Sequence, residues 1–495
     1  MAALGRAVAE SLILQADELR PMANLTETAA PEPHEALLQR VPMRDEGGVV
    51  RADFVAEITR AIEGEDTPLL RGLVADLHEA DLGDLIEALD ADSRLRLVEL
   101  TGTDFDFSAL TEVDDAVREE ILEELPTETV AEGVRELDTD DAVALLQDLP
   151  AEDQEEILDH LPESERVTLE RSLEYPDNSA GRRMQSEFIA IPPAWTVGQA
   201  IDYLSETADL PERFYEIYAV DESKHLKGAI ALDVLLRARR LLPISDLIDE
   251  DLRSVRVTDD QEEVARLFGK YNLIAAPVVD GDNRLVGVIT VDDVVDVIEE
   301  EAEEDLHALG GVTRDEELSD PFWTIAKGRF NWLLVNLATA FLASSVLGLF
   351  QEELQKMVAL AVLAPIVAGQ GGVATTQTMT VAVRALATRE LGSHNAWRVI
   401  VRELMVGFVN GLAFAVVTGI GAYVWFKVPG LGVVIGLAML CNLVAAALGG
   451  ILLPLILNKL RADPAVASGA FVTTITDIVG FFSFLGIATL WFGLK

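Results

Sequence analysis

Cysteine is all but missing from this chain: Cys441 is the only one in 495 residues. That excludes an intrachain disulfide and a thiolate-rich metal site. Aromatic residues make up 6%, and bases are scarce, with 38 Lys and Arg against 85 Asp and Glu, for a formal net charge of −47. Nucleic acid is therefore not an expected partner, because phosphates are bound by clustered Lys and Arg. No glycine-rich phosphate loop, reactive cysteine in a soluble domain or triad-like cluster is found, so the chain carries no outline of an enzyme. The opening "MAALGRAVAESLILQADELR" lacks a basic start followed by a sustained apolar core. No cleaved signal peptide is expected, and the soluble part should stay in the cytoplasm.

The shortage of bases is uneven. Residues 1–320 hold 79 acidic and 27 basic residues, net −52, whereas residues 321–495 hold 6 and 11, net +5. The first region reads as soluble and the second as membrane-embedded. Residues 1–50, with "ETAAPEPHEALLQRVPMRDEGG", offer little apolar periodicity and suit a mobile extension. From residue 51 to 178 the pattern is helical. Leu125, Leu137, Leu149, Leu161 and Leu173 recur every twelve residues, and Leu77, Leu89 and Val113 share the register, with Thr101 its exception. Each unit has Pro or Asp next, then an acidic first turn, then apolar positions at helical spacing, as short capped helices require. Such helices must stack to bury their apolar faces, giving an all-α helical-repeat N domain. Its carboxylates suit an acidic solvated scaffold or cation sensing.

Between residues 179 and 298, "FYEIYAVDESKHLKGAIALDVLL" and "NLIAAPVVDGDNRLVGVITVDDVVDVI" each give an apolar β-rich run, an acidic turn, a second run and a helix. This duplicated α/β unit resembles a tandem pair of CBS domains, modules that bind adenine nucleotides or ions. In the second copy Thr290 and Asp293 stand at the spacing such domains use for a ribose and phosphate, and Ala231 takes the hydroxyl's place in the first. The resemblance implies at most one ATP-type site, at Thr290 and Asp293, where helix capping is the competing use. Along "TVDDVVDVIEEEAEEDLHAL", Asp293, Asp296, Glu300, Glu304 and His307 make one carboxylate-rich helical face, solvated or cation-binding. Residues 299–328 read as a connecting helix into the membrane.

Within residues 329–495, five apolar stretches, about 330–350, 357–386, 398–426, 431–459 and 465–493, are long enough to span a bilayer. With a cytoplasmic N-terminus, the inward ends carry Lys327, Arg329, Arg384, Arg389, Arg398, Arg402, Lys459 and Arg461, and the outward ends Lys356, Lys427 and Lys495. That bias predicts five spans with the C-terminus outside. The second stretch, "APIVAGQGGVATTQTMTVAVRAL", combines Pro365 with Gly369, Gly371, Gly372 and several Thr, which predicts either a backbone break facing a wet cavity or close helix packing. In the fifth, Gly469, Thr473, Asp477 and Gly480 share a helical face. A carboxylate in hydrocarbon requires water, a cation or a partner. Hydroxyls and carbonyls beside it suit Mg²⁺, which keeps much of its own water; a salt bridge to Arg384, Arg402 or Lys459 is the alternative.

"TAFLASSVL", "GGVATTQTMTVAVRALATREL" and "DPAVASGAFVTTITDIVGF" resemble the MgtE family of Mg²⁺ channels. The resemblance implies a multidomain protein: all-α N domain, α/β CBS pair, connecting helix and five-span transmembrane domain, assembled as a homodimer in the cytoplasmic membrane. Its pore would be lined by the second and fifth spans, with Asp477, Thr473, Gly469, Gly480, Gly372 and Thr376 along the Mg²⁺ path. Asp260, Glu262, Asp293, Asp296, Glu301, Glu304 and Asp305 match positions that bind regulatory Mg²⁺. The expected function is a Mg²⁺-selective channel closed by internal Mg²⁺; a secondary transporter with Asp477 as its coupling carboxylate is the alternative. Val373, where the family often has Asn, and Asn272, in place of an acidic residue, depart from the pattern.

Overall fold

The computed structural model describes residues 42–147, 149–208, 210–211, 213–249, 252–313, 316, 321–392, 394–460 and 464–494. The expected mobile extension falls almost wholly outside them; at its described end Arg44 and Val50 pair around a turn.

The N domain consists of α1 (Ala52–Glu63), α2 (Thr67–Val74), α3 (Glu79–Ala88), α4 (Ala91–Thr101), α5 (Asp115–Glu124), α6 (Thr127–Val134), α7 (Thr139–Leu146), α8 (Ala151–Asp159) and α9 (Glu163–Leu173). Residues up to Asp76 together with Ala88–Thr101 form one compact unit, and Leu77–Glu87 with the rest of the chain from Gly102 form another. The twelve-residue repeat is a helix-start signal: Leu77, Leu89, Val113, Leu125, Leu137, Leu149 and Leu161 each stand two residues before a helix begins. Asp114, Pro126, Asp138, Pro150 and Pro162 occupy the N-caps between. Leu89, Val113, Leu125, Leu149 and Leu161 are buried. Thr101 keeps the register because it is also buried, its hydroxyl donating to the Leu97 carbonyl at 2.6 Å.

The CBS pair repeats one topology. β1 (Ala190–Ile191), α10 (Val197–Glu206), β2 (Glu216–Val220), β3 (Leu226–Ala231) and α11 (Leu232–Arg237) are followed by β4 (Val255–Arg256), α12 (Gln261–Tyr271), β5 (Ala275–Val279), β6 (Leu285–Thr290) and α13 (Val291–Gly310). In each half the short first strand runs parallel to the second, which pairs antiparallel with the third. Ala231 and Thr290 end equivalent strands, opposite Glu216 and Ala275. Asn272 closes α12 in the left-handed region, at φ 53°, a conformation that Asn tolerates well.

Helix α13 runs without a break across residue 299 and ends at Gly311, whose φ of 72° suits a glycine C-cap. The expected connecting helix is thus the continuation of the last CBS helix. Residues 314–315 and 317–320 lie outside the described part, and 322–328 already belong to the next helix.

The membrane region holds α14 (Phe322–Leu349), short α15 (Gln351–Lys356), α16 (Val358–Ala387), α17 (Ala396–Phe426), α18 (Leu431–Lys459) and α19 (Pro464–Phe492). Among the described residues, five of these are long and apolar enough to cross a membrane. Helix α16 passes through Pro365 without the anticipated break. A proline removes one backbone donor, a loss that tightly packed membrane helices absorb. Helix α18 is central, with 56% of its apolar window buried, against 6% for α14 and 11% for α17. It meets α17 through glycines: a Cβ added to Gly432 would stand 2.5 Å from the Gly419 carbonyl.

Candidate cation pathway and regulatory carboxylates

Of the residues expected along a pathway, Gly372 and Thr376 lie on α16, and Gly469, Thr473, Asp477 and Gly480 on α19. The two helices approach there, since a Cβ on Gly372 would lie 3.9 Å from Thr473 Cγ2. Thr376 Oγ1 donates to the Gly372 carbonyl and Thr473 Oγ1 to the Gly469 carbonyl, each at 3.1 Å. A hydroxyl committed as donor to its own helix still presents lone pairs to a cation's water shell. Asp477 is half-buried and makes no hydrogen bond or ion pair with another described residue; Arg402, one proposed partner, pairs instead with Glu403 at 3.0 Å. The uncompensated carboxylate therefore calls for water or a cation.

Sequence reasoning missed Asn442 on α18, which is fully buried and donates through Nδ2 to the Val367 carbonyl at 2.8 Å. Its lone polar side chain in "AMLCNLVAAA" offers no periodic signal.

The candidates outside the membrane helices fall into two groups. Asp293 and Asp296, early on α13, face N-domain carboxylates. Asp141 is pushed up to about 7 by burial first, then by Asp293, Asp138, Glu79 and Glu112. Asp293 is raised to about 6, chiefly by burial, with Thr290 opposing the shift. Asp140 is raised by burial and by Asp293, Glu112 by burial and Asp296, and Asp296 by burial against the pull of Arg183. Asp140, Asp141 and Glu112 were not singled out in the sequence, where the acidic first turn of each repeat reads as capping.

The second group joins α12 to the later turns of α13. Glu262 is raised by burial, eased by Arg266 and increased again by Glu301, Asp260 and Asp305. Asp260 caps α12 by accepting from the Glu262 amide at 3.0 Å, and Gln261 Nε2 donates to Glu301 Oε1 at 2.9 Å. Glu304 lies on the same stretch of α13. Among the described residues no three His, Cys, Asp or Glu converge tightly enough to enclose a metal. Carboxylates in ones and twos fit Mg²⁺, which is usually held that way and keeps several of its own waters. Thr290 and Asp293, the tentative nucleotide pair, form a capping box, with Asp293 Oδ2 accepting from Thr290 Oγ1 at 2.8 Å and its amide at 3.3 Å.

Two contacts join these groups to the membrane helices. The end of α13 inserts Ala308 into a buried cluster with Met379 and Val383 of α16 and Val472 of α19, and the Leu309 carbonyl would lie 3.8 Å from a Cβ on Gly469. Arg389, in the α16–α17 connection, pairs with Glu263 of α12.

Three family models match the chain: the MgtE intracellular N domain over residues 77–178, the CBS domain over 244–300, and the MgtE divalent cation transporter over 364–487. The magnesium transporter MgtE of Enterococcus faecalis is 37% identical over 327 residues, 66% of this chain and 72% of that protein. The one from Thermus thermophilus is 36% identical over the same shares. A crystal structure described as the cytosolic domain of the Mg²⁺ channel MgtE in complex with ATP is 32% identical, covers 49% of this chain and 99% of that one, and superposes with a TM-score of 0.45. The chain therefore belongs to the MgtE family, whose members are membrane transporters of divalent cations and not enzymes.

Proposed function

We propose that this protein is a Mg²⁺ channel of the cytoplasmic membrane, active as a homodimer and closed from inside by Mg²⁺. The observation that carries the reading is Asp477, a carboxylate without a partner among the described residues, on a hydroxyl- and glycine-lined face of a helix long and apolar enough to cross a membrane. Such a charge draws hydrated Mg²⁺ without stripping its water, and Mg²⁺ dehydrates reluctantly. Thr376 and Val373 are exposed on the same side of α16, as residues completed by a second copy would be. The soluble domains are cytoplasmic and the C-terminus lies outside, in keeping with the Lys and Arg bias.

Closure follows from the sensor's charge. Asp293 and Asp296 face Asp140, Asp141 and Glu112, and bare carboxylates there repel. Mg²⁺ held between them, and among Asp260, Glu262, Glu301, Glu304 and Asp305, draws the domains together. The end of α13, packed on α16 and α19, carries that movement to the pathway. An adenine nucleotide at the CBS pair would compete with the Thr290–Asp293 capping box, and is a modulator in this reading.

The test is Mg²⁺ uptake by liposomes containing the full chain, without a Na⁺ or proton gradient. Wild type should take up Mg²⁺, and Asp477→Asn should do so at least about tenfold more slowly. Uptake that requires either gradient would mean a coupled carrier instead.

A further inference from the structure

We propose that Asn442 is a positioning residue for permeation: a polar wedge on α18 that fixes the separation of α16 and α19, and with it the spacing of the faces that carry Gly372 and Thr376 on one helix and Asp477 on the other. The inference rests on the channel reading above and adds to it a residue outside the pathway's own helices.

Asn442 touches both helices where neither has a side chain. A Cβ on Gly371 would stand 2.2 Å from Asn442 Nδ2, and one on Gly480 2.9 Å from the same atom. A methyl at either glycine would have to push the amide aside, which its bond to the Val367 carbonyl and a close-packed interior resist. Gly371 precedes Gly372, and Gly480 lies one turn beyond Asp477 on α19. The amide is anchored by its bond to the Val367 carbonyl, one turn before Gly371.

The choice of an amide is unfavourable for stability. Asn442 Oδ1 is buried with no hydrogen-bond partner among the described residues, and an acceptor stripped of water without replacement destabilises a fold. Leucine shares its branching and carries no such acceptor, but its methyl cannot sit 2.8 Å from the Val367 carbonyl as Nδ2 does. A residue that breaks a packing rule beside a functional site is better explained by the site than by the packing.

The two roles make opposite demands. If Asn442 only held the fold, Asn442→Leu would lower thermal stability and flux together. As a positioning residue, it should give Asn442→Leu a Mg²⁺ flux about tenfold lower even at temperatures where the purified full-length protein is as fully folded as wild type. The internal Mg²⁺ concentration for half closure should be unchanged. The steric geometry has its own test: Gly371→Ala should cut flux about tenfold, and adding Asn442→Ala should bring it to within about threefold of Asn442→Ala alone, because the atom it meets is gone. Wild-type flux in Asn442→Leu, or a double variant no better than Gly371→Ala, would overturn the proposal. Asp477→Asn, run in parallel, separates the readings: if it too conducts like wild type, the pathway itself is misassigned.

Discussion

The two halves of this molecule handle carboxylates in opposite ways. The half outside the membrane helices, net −52, gathers them until burial, helped by neighbouring carboxylates, drives Asp141 to about 7 and burial drives Asp293 to about 6. The membrane half, net +5, keeps Asp477 without an ion-pair partner among the described residues. Crowding makes a site whose charge depends on what is bound, which is what a sensor needs. Isolation makes a fixed attraction for a passing cation, as a pathway requires.

The largest effect should come from erasing the isolated charge. Asp477→Asn preserves shape while removing a field that raises local cation concentration by about tenfold to a thousandfold, so Mg²⁺ flux should fall within that range. Tracer uptake measures it, and flux equal to wild type would put Asp477 outside the path. Removing crowded charges should alter control instead. Neutralising Asp293, Asp296, Glu301 and Glu304 together should raise the internal Mg²⁺ needed for half closure by about tenfold or more, with open-channel conductance unchanged. An unshifted inhibition curve would make this helix face a solvated surface.

Protonation sharpens the contrast further. Because burial raises the pKa values of Asp141 and Asp293 where the N domain packs on α13, with Asp293 adding to the shift of Asp141, the packed arrangement binds more protons than the separated one between about pH 4 and pH 7. Its stability is greatest at the acidic end of that window and is lost as pH rises through about 7. Mg²⁺ then replaces protons, so adding it at pH 6 should release more protons than at pH 8, and Asp141→Asn should reduce the release. Equal release at both values, followed by calorimetry in two buffers, would contradict the crowded-carboxylate picture. The smallest effect is expected from Arg389→Ala, which removes an exposed pair with Glu263. Such pairs contribute about 0.2–1 kcal/mol, so half closure should move by less than about fivefold.

Much of the architecture is legible in the sequence because it is written periodically. Each repeat position from Leu77 to Leu161, Thr101 apart, marks a helix start, and the paired apolar runs of residues 179–298 become two matching sheets. Asp477 stands out as the sole ionisable residue of an otherwise apolar run. What escapes is set by contacts between distant segments. Asp140 and Asp141 look like N-terminal helix acids until Asp293 is packed beside them, and Asn442 matters only once Gly371 and Gly480 close around it. Pro365 misleads in the other direction, since its local preference is overridden within α16.

The most direct measurement is current through inside-out patches containing the full-length protein, with internal Mg²⁺ stepped at constant ionic strength. Discrete channel openings should become rarer as internal Mg²⁺ rises, with the current of each opening unchanged. The Asp293, Asp296, Glu301 and Glu304 quadruple variant should stay open, and Asp477→Asn should carry almost no current. A wild-type open probability indifferent to internal Mg²⁺, or reduced equally by KCl at matched ionic strength, would contradict the division of labour between crowded sensor and solitary pathway charge.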